Sequence, residues 1–144
     1  FSVMATDFSP AGLDQLRDAA AAQGVAGRVT TAVHDVREPL RLADASVDAV
    51  FAHMLLCMAL STQEIHALVA EVRRVLRPGG AFVYTVRHTG DAHYQAGTGH
   101  GDDIWEHSGF AVHFFPRDLV HDLAKSWTLD EVDAFEEGGL PRRL

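Results

Sequence analysis

Two aspartates stand where two short apolar runs end, and residues of this type at such positions can bind a ligand. Asp7 follows the run 2–6, and Asp35 follows the strand-like segment 28–34. If both runs are parallel strands, both carboxylates lie beyond the carboxyl ends of a sheet, where open α/β sheets bind ligands. Each aspartate also has a simpler interpretation, because aspartate is common in turns. Two acids that end consecutive strands are more specific than one.

The residues beside these aspartates suit a nucleoside. The Asp7 carboxylate can accept hydrogen bonds from a ribose diol, and the Phe8 ring can lie against an adenine face. The Asp35 carboxylate can accept from the adenine amino group, while the Val36 amide donates to a ring nitrogen. These residues are therefore compatible with an adenosine site at this edge, beside the turn interpretation of each aspartate.

Histidines are concentrated in the polar segment 88–113, which also carries several acids and the glycine run 97–101. Histidine and carboxylate suit several divalent metals, but no H-x-x-x-H or H-E-x-x-H spacing is present, so we predict no metal site. The glycine run does not open a helix, and we interpret it as flexible joints in a lid over an acceptor pocket. Tyr94 and Trp105 either contact the substrate or anchor this insert.

Composition narrows the classes of protein and partner. The 144 residues suit one domain, and a net charge of −8 makes nucleic acid an unfavourable partner. The longest apolar run, 49–60, is interrupted by His53 and is too short to cross a bilayer, and no signal peptide is evident. A lone Cys57 excludes an internal disulfide and a multi-cysteine zinc site. We expect a cytoplasmic protein.

Helix and strand signals alternate along the chain. Ser9-Pro10 and the capping box at Ser61 each start a helix, and Pro78-Gly79-Gly80 ends the second one. Apolar runs at 47–55 and 81–86 predict buried strands, 116–126 a helix and 127–135 a weaker strand. The order β-α-β-loop-β-α-β-insert-α-β predicts a Rossmann-like α/β fold with a mostly parallel sheet flanked by helices.

The chain resembles the class I S-adenosylmethionine (SAM) dependent methyltransferases of the small-molecule type in four segments. In chain order these are VMATDFSPAGL, AVHDV, VDAVFAHMLLCMAL and VRRVLRPGGAFVYTV. The LRPGG turn before a strand is the most specific of them. The segment 116–135 is similar, less specifically, to the family's last helix and the strand after it.

The resemblance implies a cofactor and the residues that bind it. The cofactor is SAM, with S-adenosylhomocysteine as the product. Asp7 and Phe8, with Ser9 beside them, match the residues at the ribose and adenine, and Asp35 and Val36 match those that read adenine. The end of the fourth strand, which lines the methionine part of SAM and the acceptor, is matched by Ala52, His53 and Met54.

The family pattern extends beyond both ends of this sequence. Its first strand and glycine-rich loop would precede Phe1, and its last antiparallel strand would follow Leu144. We therefore expect residues 1–144 to be a single, partial SAM-binding domain with the lid-like insert at 88–113. Without that first strand, two strand edges would be left unpaired.

Methyl transfer requires little chemistry from the protein, because the sulfonium is a good leaving group and alignment supplies much of the acceleration. A base helps when the acceptor must lose a proton. His53 and His88, each at the end of a predicted strand, are the candidate catalytic residues. His53 is equally consistent with a pocket histidine that has no proton role.

Two alternatives stay open beside a methyltransferase acting on a small molecule. One is a nicotinamide-dependent oxidoreductase, in which Asp7 would serve equally well at the ribose; Asp35 and the LRPGG turn disfavour it. The other is a non-catalytic remnant of the same fold. The sequence sets neither the acceptor nor the oligomeric state.

Overall fold

The computed structural model describes residues 1–137 and 142–143. The chain divides into two compact units, unit 1 (Phe1–Leu40) and unit 2 (Arg41–Leu144). The prediction of a single domain over residues 1–144 stays a prediction.

Unit 1 is a β-α-β segment. Strand β1 (Val3–Asp7) pairs in parallel with β2 (Val29–Val33), and helix α1 (Pro10–Ala22) and a short 3₁₀ turn (Ala26–Arg28) connect them. The register places Asp7 beside Val33. The two strands therefore end side by side.

Helix α1 starts where the sequence predicts and is followed by a glycine. The Ser9 hydroxyl accepts a hydrogen bond from the Gly12 amide at 3.2 Å, and Pro10 occupies the first turn. Gly24 follows the helix with φ of 68°, the left-handed conformation that glycine adopts without strain.

Unit 2 is built on a second parallel pair. Strand β3 (Val47–His53) pairs with β4 (Leu76–Thr85), and helix α2 (Thr62–Val75) connects them. The chain then forms an antiparallel sheet, helix α3 (Arg117–Ala124) and a two-stranded ladder. These further strands are β5 (Thr98–Gly101), β6 (Ile104–His107), β7 (Phe110–His113), β8 (Glu136–Glu137) and β9 (Arg142–Arg143).

The predicted capping box starts α2. The Glu64 amide donates to the Ser61 hydroxyl at 3.3 Å, and the Glu64 carboxylate accepts from the Ser61 amide at 2.8 Å. Two backbone donors at the helix start are thus satisfied. The apolar stripe of this helix is buried and comprises Ile65, Leu68, Val69, Val72 and Val75.

The LRPGG turn is tighter than the sequence suggests, because β4 begins at Leu76, directly after the helix. The pairing register with β3 shifts between Leu76 and Ala81, so the residues of the turn form an irregularity in β4. Gly79 has φ of 78°. A Cβ on Gly80 would lie 2.9 Å from the carbonyl oxygens of both Arg77 and Asp48. Only glycine fits this approach of two backbones.

The insert has more regular structure than predicted. Strands β5, β6 and β7 form a three-stranded antiparallel sheet, with β6 in the centre. Part of the glycine run, interpreted as flexible joints, is strand β5. Period-2 alternation is weak here, and the strands are only four residues long, so the sequence signal was missed.

Two other predictions differ from the structure. No strand covers 127–135, because this acidic segment finds no ladder partner among the described residues. The strands read as buried on both faces are partly exposed, with Phe51 69% and Val83 53% exposed. These two residues are paired in register, so they share one face of the β3–β4 pair.

Candidate functional site

Asp7 ends β1 and forms a turn with the residues that follow. Its Oδ1 accepts a hydrogen bond from the Ser9 amide at 2.8 Å. Among the described residues, Oδ2 has no hydrogen-bond partner, and the side chain is exposed. The simple turn interpretation is therefore correct for Oδ1, and Oδ2 is available to accept from a ligand hydroxyl. Phe8, directly after it, is 76% exposed.

Asp35 repeats this geometry after β2. Its Oδ1 accepts from the Arg37 amide at 3.0 Å, and the Arg37 guanidinium lies 3.3 Å from Oδ2. The amide hydrogen bond is the main cause that lowers the pKa of the Asp35 carboxyl, and the Arg37 charge adds to it. The carboxyl is thus ionised at neutral pH and can only accept. The ion pair is half-exposed and weak, so a ligand can replace it.

The two aspartates lie at the same end of one strand pair. The β1–β2 ladder continues past its last paired residues, because the His34 amide donates to the Asp7 carbonyl oxygen at 3.0 Å. Two acceptors are therefore presented at the carboxyl edge of unit 1, as the sequence predicts. This edge fits the hydroxyl and amino groups of a nucleoside.

His34 is a residue that the sequence analysis missed. It is 5% exposed, and neither ring nitrogen has a hydrogen-bond partner in the described part of the chain. An unpaired buried imidazole costs free energy. Its position between the strand end and Asp35 gave no pattern that would single it out.

Unit 2 holds the other predicted cofactor residues at the end of β3. Ala52 is buried, while His53 is exposed and Met54 is half-buried. Nδ1 of His53 lies 2.8 Å from the hydroxyl oxygen of Thr85, which is its register partner on β4.

Met54 turns the chain away from the strand pair. Its φ is 53°, in the left-handed region, and its amide donates to both oxygens of Thr85, at 3.0 Å to the carbonyl and 3.1 Å to the hydroxyl. Thr85 therefore contacts both His53 and the turn that follows it. The sequence analysis did not single out this threonine, since a strand threonine is common.

His88 follows β4 and is held by its own loop. The Gly90 amide donates to Nδ1 of His88 at 2.9 Å, and the Asp91 amide donates to the His88 carbonyl oxygen at 2.9 Å. His53 is thus the last residue of β3, whereas His88 lies beyond Thr85, the last residue of the paired strand β4. The catalytic role predicted for the two histidines stays a prediction.

A buried ion pair beside His88 is a further feature that the sequence did not reveal. Arg87 donates to Asp91 through Nε at 3.1 Å and Nη2 at 2.6 Å, and the Asp91 side chain is fully buried. Asp91 also accepts from the His93 amide at 2.8 Å. The guanidinium stacks over the Phe114 ring at 5.0 Å. Arg87 is therefore neutralised and does not form an anion site.

One acidic side chain attaches the insert to the start of α2, and another makes a contact within the insert. Both carboxylate oxygens of Asp102 accept from Thr62 at 2.6 Å, one from its amide and one from its hydroxyl, at the start of α2. The Tyr94 hydroxyl donates to Asp103 at 2.6 Å, and its ring packs edge-on against Trp105. The contacts of Tyr94 and Trp105 lie within the insert, and the choice between a substrate contact and an anchor stays open for both aromatic residues.

Two further observations bear on the class of site. Within 1–137 and 142–143, no three histidine, cysteine or acidic side chains come together in a group that could hold a metal ion. None of the helices described is long and apolar enough to span a membrane. Cys57 is buried, and burial raises the pKa of its thiol, as expected for an inert side chain.

A protein-family model described as "Methyltransferase domain" matches residues 1–80 of the chain. This range includes Asp7, Asp35, the end of β3 and the turn at Gly80. No curated protein sequence matches the chain.

Solved structures share the fold over the whole chain. A SAM-dependent methyltransferase from Methanosarcina mazei is 18% identical, with a TM-score of 0.79 over 99% of this chain and 77% of its own. A protein from Pyrococcus horikoshii OT3 is 21% identical, with a TM-score of 0.73 over 99% of this chain and 69% of its own. The fold is therefore Rossmann-like α/β, as predicted.

A third similar structure shows the range of chemistry on this fold. The [4+2]-cyclase SpnF is 21% identical, with a TM-score of 0.67 over 88% of this chain and 41% of its own. The chain spans less than half of that protein. Fold likeness at this identity does not assign a reaction.

Proposed function

Because the chain belongs to the methyltransferase-domain family, we propose that it binds SAM and transfers its methyl group to a small-molecule acceptor. S-adenosylhomocysteine is then the product. The net charge of −8 favours a small acceptor over nucleic acid. The matched pair of aspartates at the carboxyl edge of unit 1 is the observation that carries this proposal.

The adenosine part of SAM is assigned to unit 1. Oδ2 of Asp7 accepts from the ribose hydroxyls, while its Oδ1 stays in the turn with Ser9. Asp35 accepts from the adenine amino group, and the Val36 amide donates to the ring. The exposed Phe8 ring covers the adenine face. An apolar ring with two flanking acceptors is a suitable set for a purine nucleoside.

The methionine part of SAM is assigned to the end of β3. Ala52 and Met54 offer backbone groups and apolar contact, and His53 lies next to them. When bound, SAM supplies a methyl group on a positively charged sulfur, a good leaving group. The residues of the chain then have to align the acceptor atom with this methyl and exclude water.

We assign to a histidine the role of receiving the proton that the acceptor loses. His53 ends β3 and His88 lies beyond the end of the paired strand β4, and imidazole accepts a proton near neutral pH. An acceptor that carries a hydroxyl or amine loses a proton during transfer, and one of these rings receives it. Acceptors without such a proton require only alignment.

Calorimetric titrations with SAM and with NAD, performed separately, test the proposal. We expect SAM to bind and NAD not to bind. Asp7→Asn keeps the turn with Ser9 but removes the charge, and it should weaken SAM binding roughly ten- to hundredfold. Asp48→Asn, an exposed aspartate in unit 2, is the matched control and should leave affinity unchanged. Binding of NAD alone would overturn the proposal.

A further inference from the structure

The loop after β4 determines which nitrogen of His88 carries a proton. The Gly90 amide donates a hydrogen bond to Nδ1 at 2.9 Å. A backbone amide only donates, so Nδ1 holds a lone pair. The neutral ring therefore carries its proton on Nε2, and Nε2 has no lone pair with which to accept another.

Position 90 requires glycine for this contact. A Cβ there would lie 2.6 Å from Cε1 of His88 and 2.9 Å from Nδ1. Real side chains do not approach so closely, so any other residue would displace the ring or the loop. Gly90 lies close to the His88 ring and donates a hydrogen bond to it because the chain folds back over the imidazole.

The backbone around His88 is fixed on both sides. The Phe115 amide donates to the Arg87 carbonyl oxygen at 2.8 Å, and the Thr89 amide donates to that of Phe115 at 3.2 Å. The buried Arg87–Asp91 ion pair closes the same loop. Holding the ring in one tautomer requires a loop that keeps its conformation, and these contacts provide it.

His53 has a different environment. Its Nδ1 faces the Thr85 hydroxyl, and a hydroxyl can either donate or accept. The His53 ring can therefore exchange tautomers or take up a proton without losing this contact. The Gly90 amide that faces His88, in contrast, can only donate.

We propose that Gly90 is a positioning residue that holds His88 as the Nε2–H tautomer, so that His88 donates a hydrogen bond to the methyl acceptor and is not the proton acceptor. The role toward the acceptor rests on the proposed methyltransferase function. The tautomer itself does not, because it follows from the Gly90–His88 contact. His53 is then the histidine that receives a proton.

The tautomer is tested by NMR on the ¹⁵N-labelled protein without any ligand. In spectra of the neutral imidazole, recorded at alkaline pH, we expect a scalar coupling across the hydrogen bond between the Gly90 amide nitrogen and Nδ1 of His88. Nε2 should carry the ring proton. A protonated Nδ1, or no coupling in wild type, would overturn the proposal. Gly90→Ala should abolish the coupling.

The role toward the acceptor is tested by two variants in methyl-transfer assays. His88→Gln keeps an N–H donor but accepts no proton, and His88→Leu has neither property. We expect His88→Gln to retain kcat within about fivefold of wild type and His88→Leu to lose roughly a hundredfold. Equal losses in the two variants would overturn the donor role. Failure of wild type to bind SAM would instead reject the proposed function, and the NMR result would still decide the tautomer.

Discussion

Nδ1 of His53 lies 2.8 Å from Oγ1 of Thr85, and the two residues are register partners on β3 and β4. The same hydroxyl accepts from the Met54 amide at 3.1 Å. One side chain thus orients the imidazole and closes the turn that follows it. The Thr85 hydroxyl therefore contacts Nδ1 of His53, the proposed proton acceptor.

Replacement of Thr85 by valine removes the hydroxyl at nearly constant volume. We expect kcat for methyl transfer to fall about fivefold, the equivalent of one hydrogen bond of about 1 kcal/mol. Thr85→Ser keeps the hydroxyl and should retain most of the activity. A valine variant as active as wild type would show that the contact does not orient His53.

The Arg87–Asp91 pair should be among the most sensitive positions for stability. Asp91→Ala removes the carboxylate that pairs with the Arg87 guanidinium, and the Arg87 side chain is only 11% exposed. We expect a loss of about 3–5 kcal/mol in the free energy of unfolding. Asp44→Ala removes an exposed partner of Arg74 and should cost less than about 1 kcal/mol. Urea denaturation of both variants measures the contrast, and equal losses would contradict it.

Asp102 should make stability depend on pH in the acid range. The hydrogen bond from the Thr62 hydroxyl, and then that from its amide, lower the pKa of the Asp102 carboxyl below its usual value of 3.8. The ionised carboxylate therefore stabilises the fold above about pH 4, and this contribution is lost as pH falls through the lowered pKa.

Urea denaturation at a series of pH values measures this effect. Asp102→Asn should be less stable than wild type at pH 7, and the difference should shrink toward about pH 3. Asp133→Asn, at an exposed position outside helices and strands, controls for the change in net charge. A difference between Asp102→Asn and wild type that does not vary with pH would contradict this interpretation.

His34 offers a stabilising substitution. His34→Leu removes two buried ring nitrogens without partners, and we expect the free energy of unfolding to rise by about 1–2 kcal/mol. His34→Gln keeps a polar side chain and should give no such gain. Thermal and urea denaturation of the two variants provide the measurement. A destabilised His34→Leu would mean that the ring makes a favourable interaction in the folded protein.

Local signals predicted much of the fold. Ser9-Pro10 and the Ser61 capping box each start a helix as predicted, whereas α2 ends at Val75, before the predicted stop at Pro78-Gly79-Gly80, which lies within β4. The alternation of strands and helices was sufficient for the α/β class. The antiparallel sheet of the insert was missed because its strands are short and polar and are specified by pairing between segments, which periodicity does not reveal.

Some residues of the candidate site could likewise be predicted from the sequence, and others could not. Asp7 and Asp35 were found because a strand end is visible in sequence. Thr85, Gly90 and Asp91 were missed because each acts through a contact to a particular side chain. Such contacts depend on strand register and loop geometry, which the residue types alone do not predict.

The central claim is that SAM binds at the carboxyl edge of unit 1, and amide NMR during a SAM titration tests it most directly. The Ser9 and Arg37 amides donate to Asp7 and Asp35, so they report on the two carboxylates. We predict that SAM shifts both amide resonances in a saturable way and that NAD shifts neither. If saturating SAM leaves both amides unchanged, the claim is contradicted.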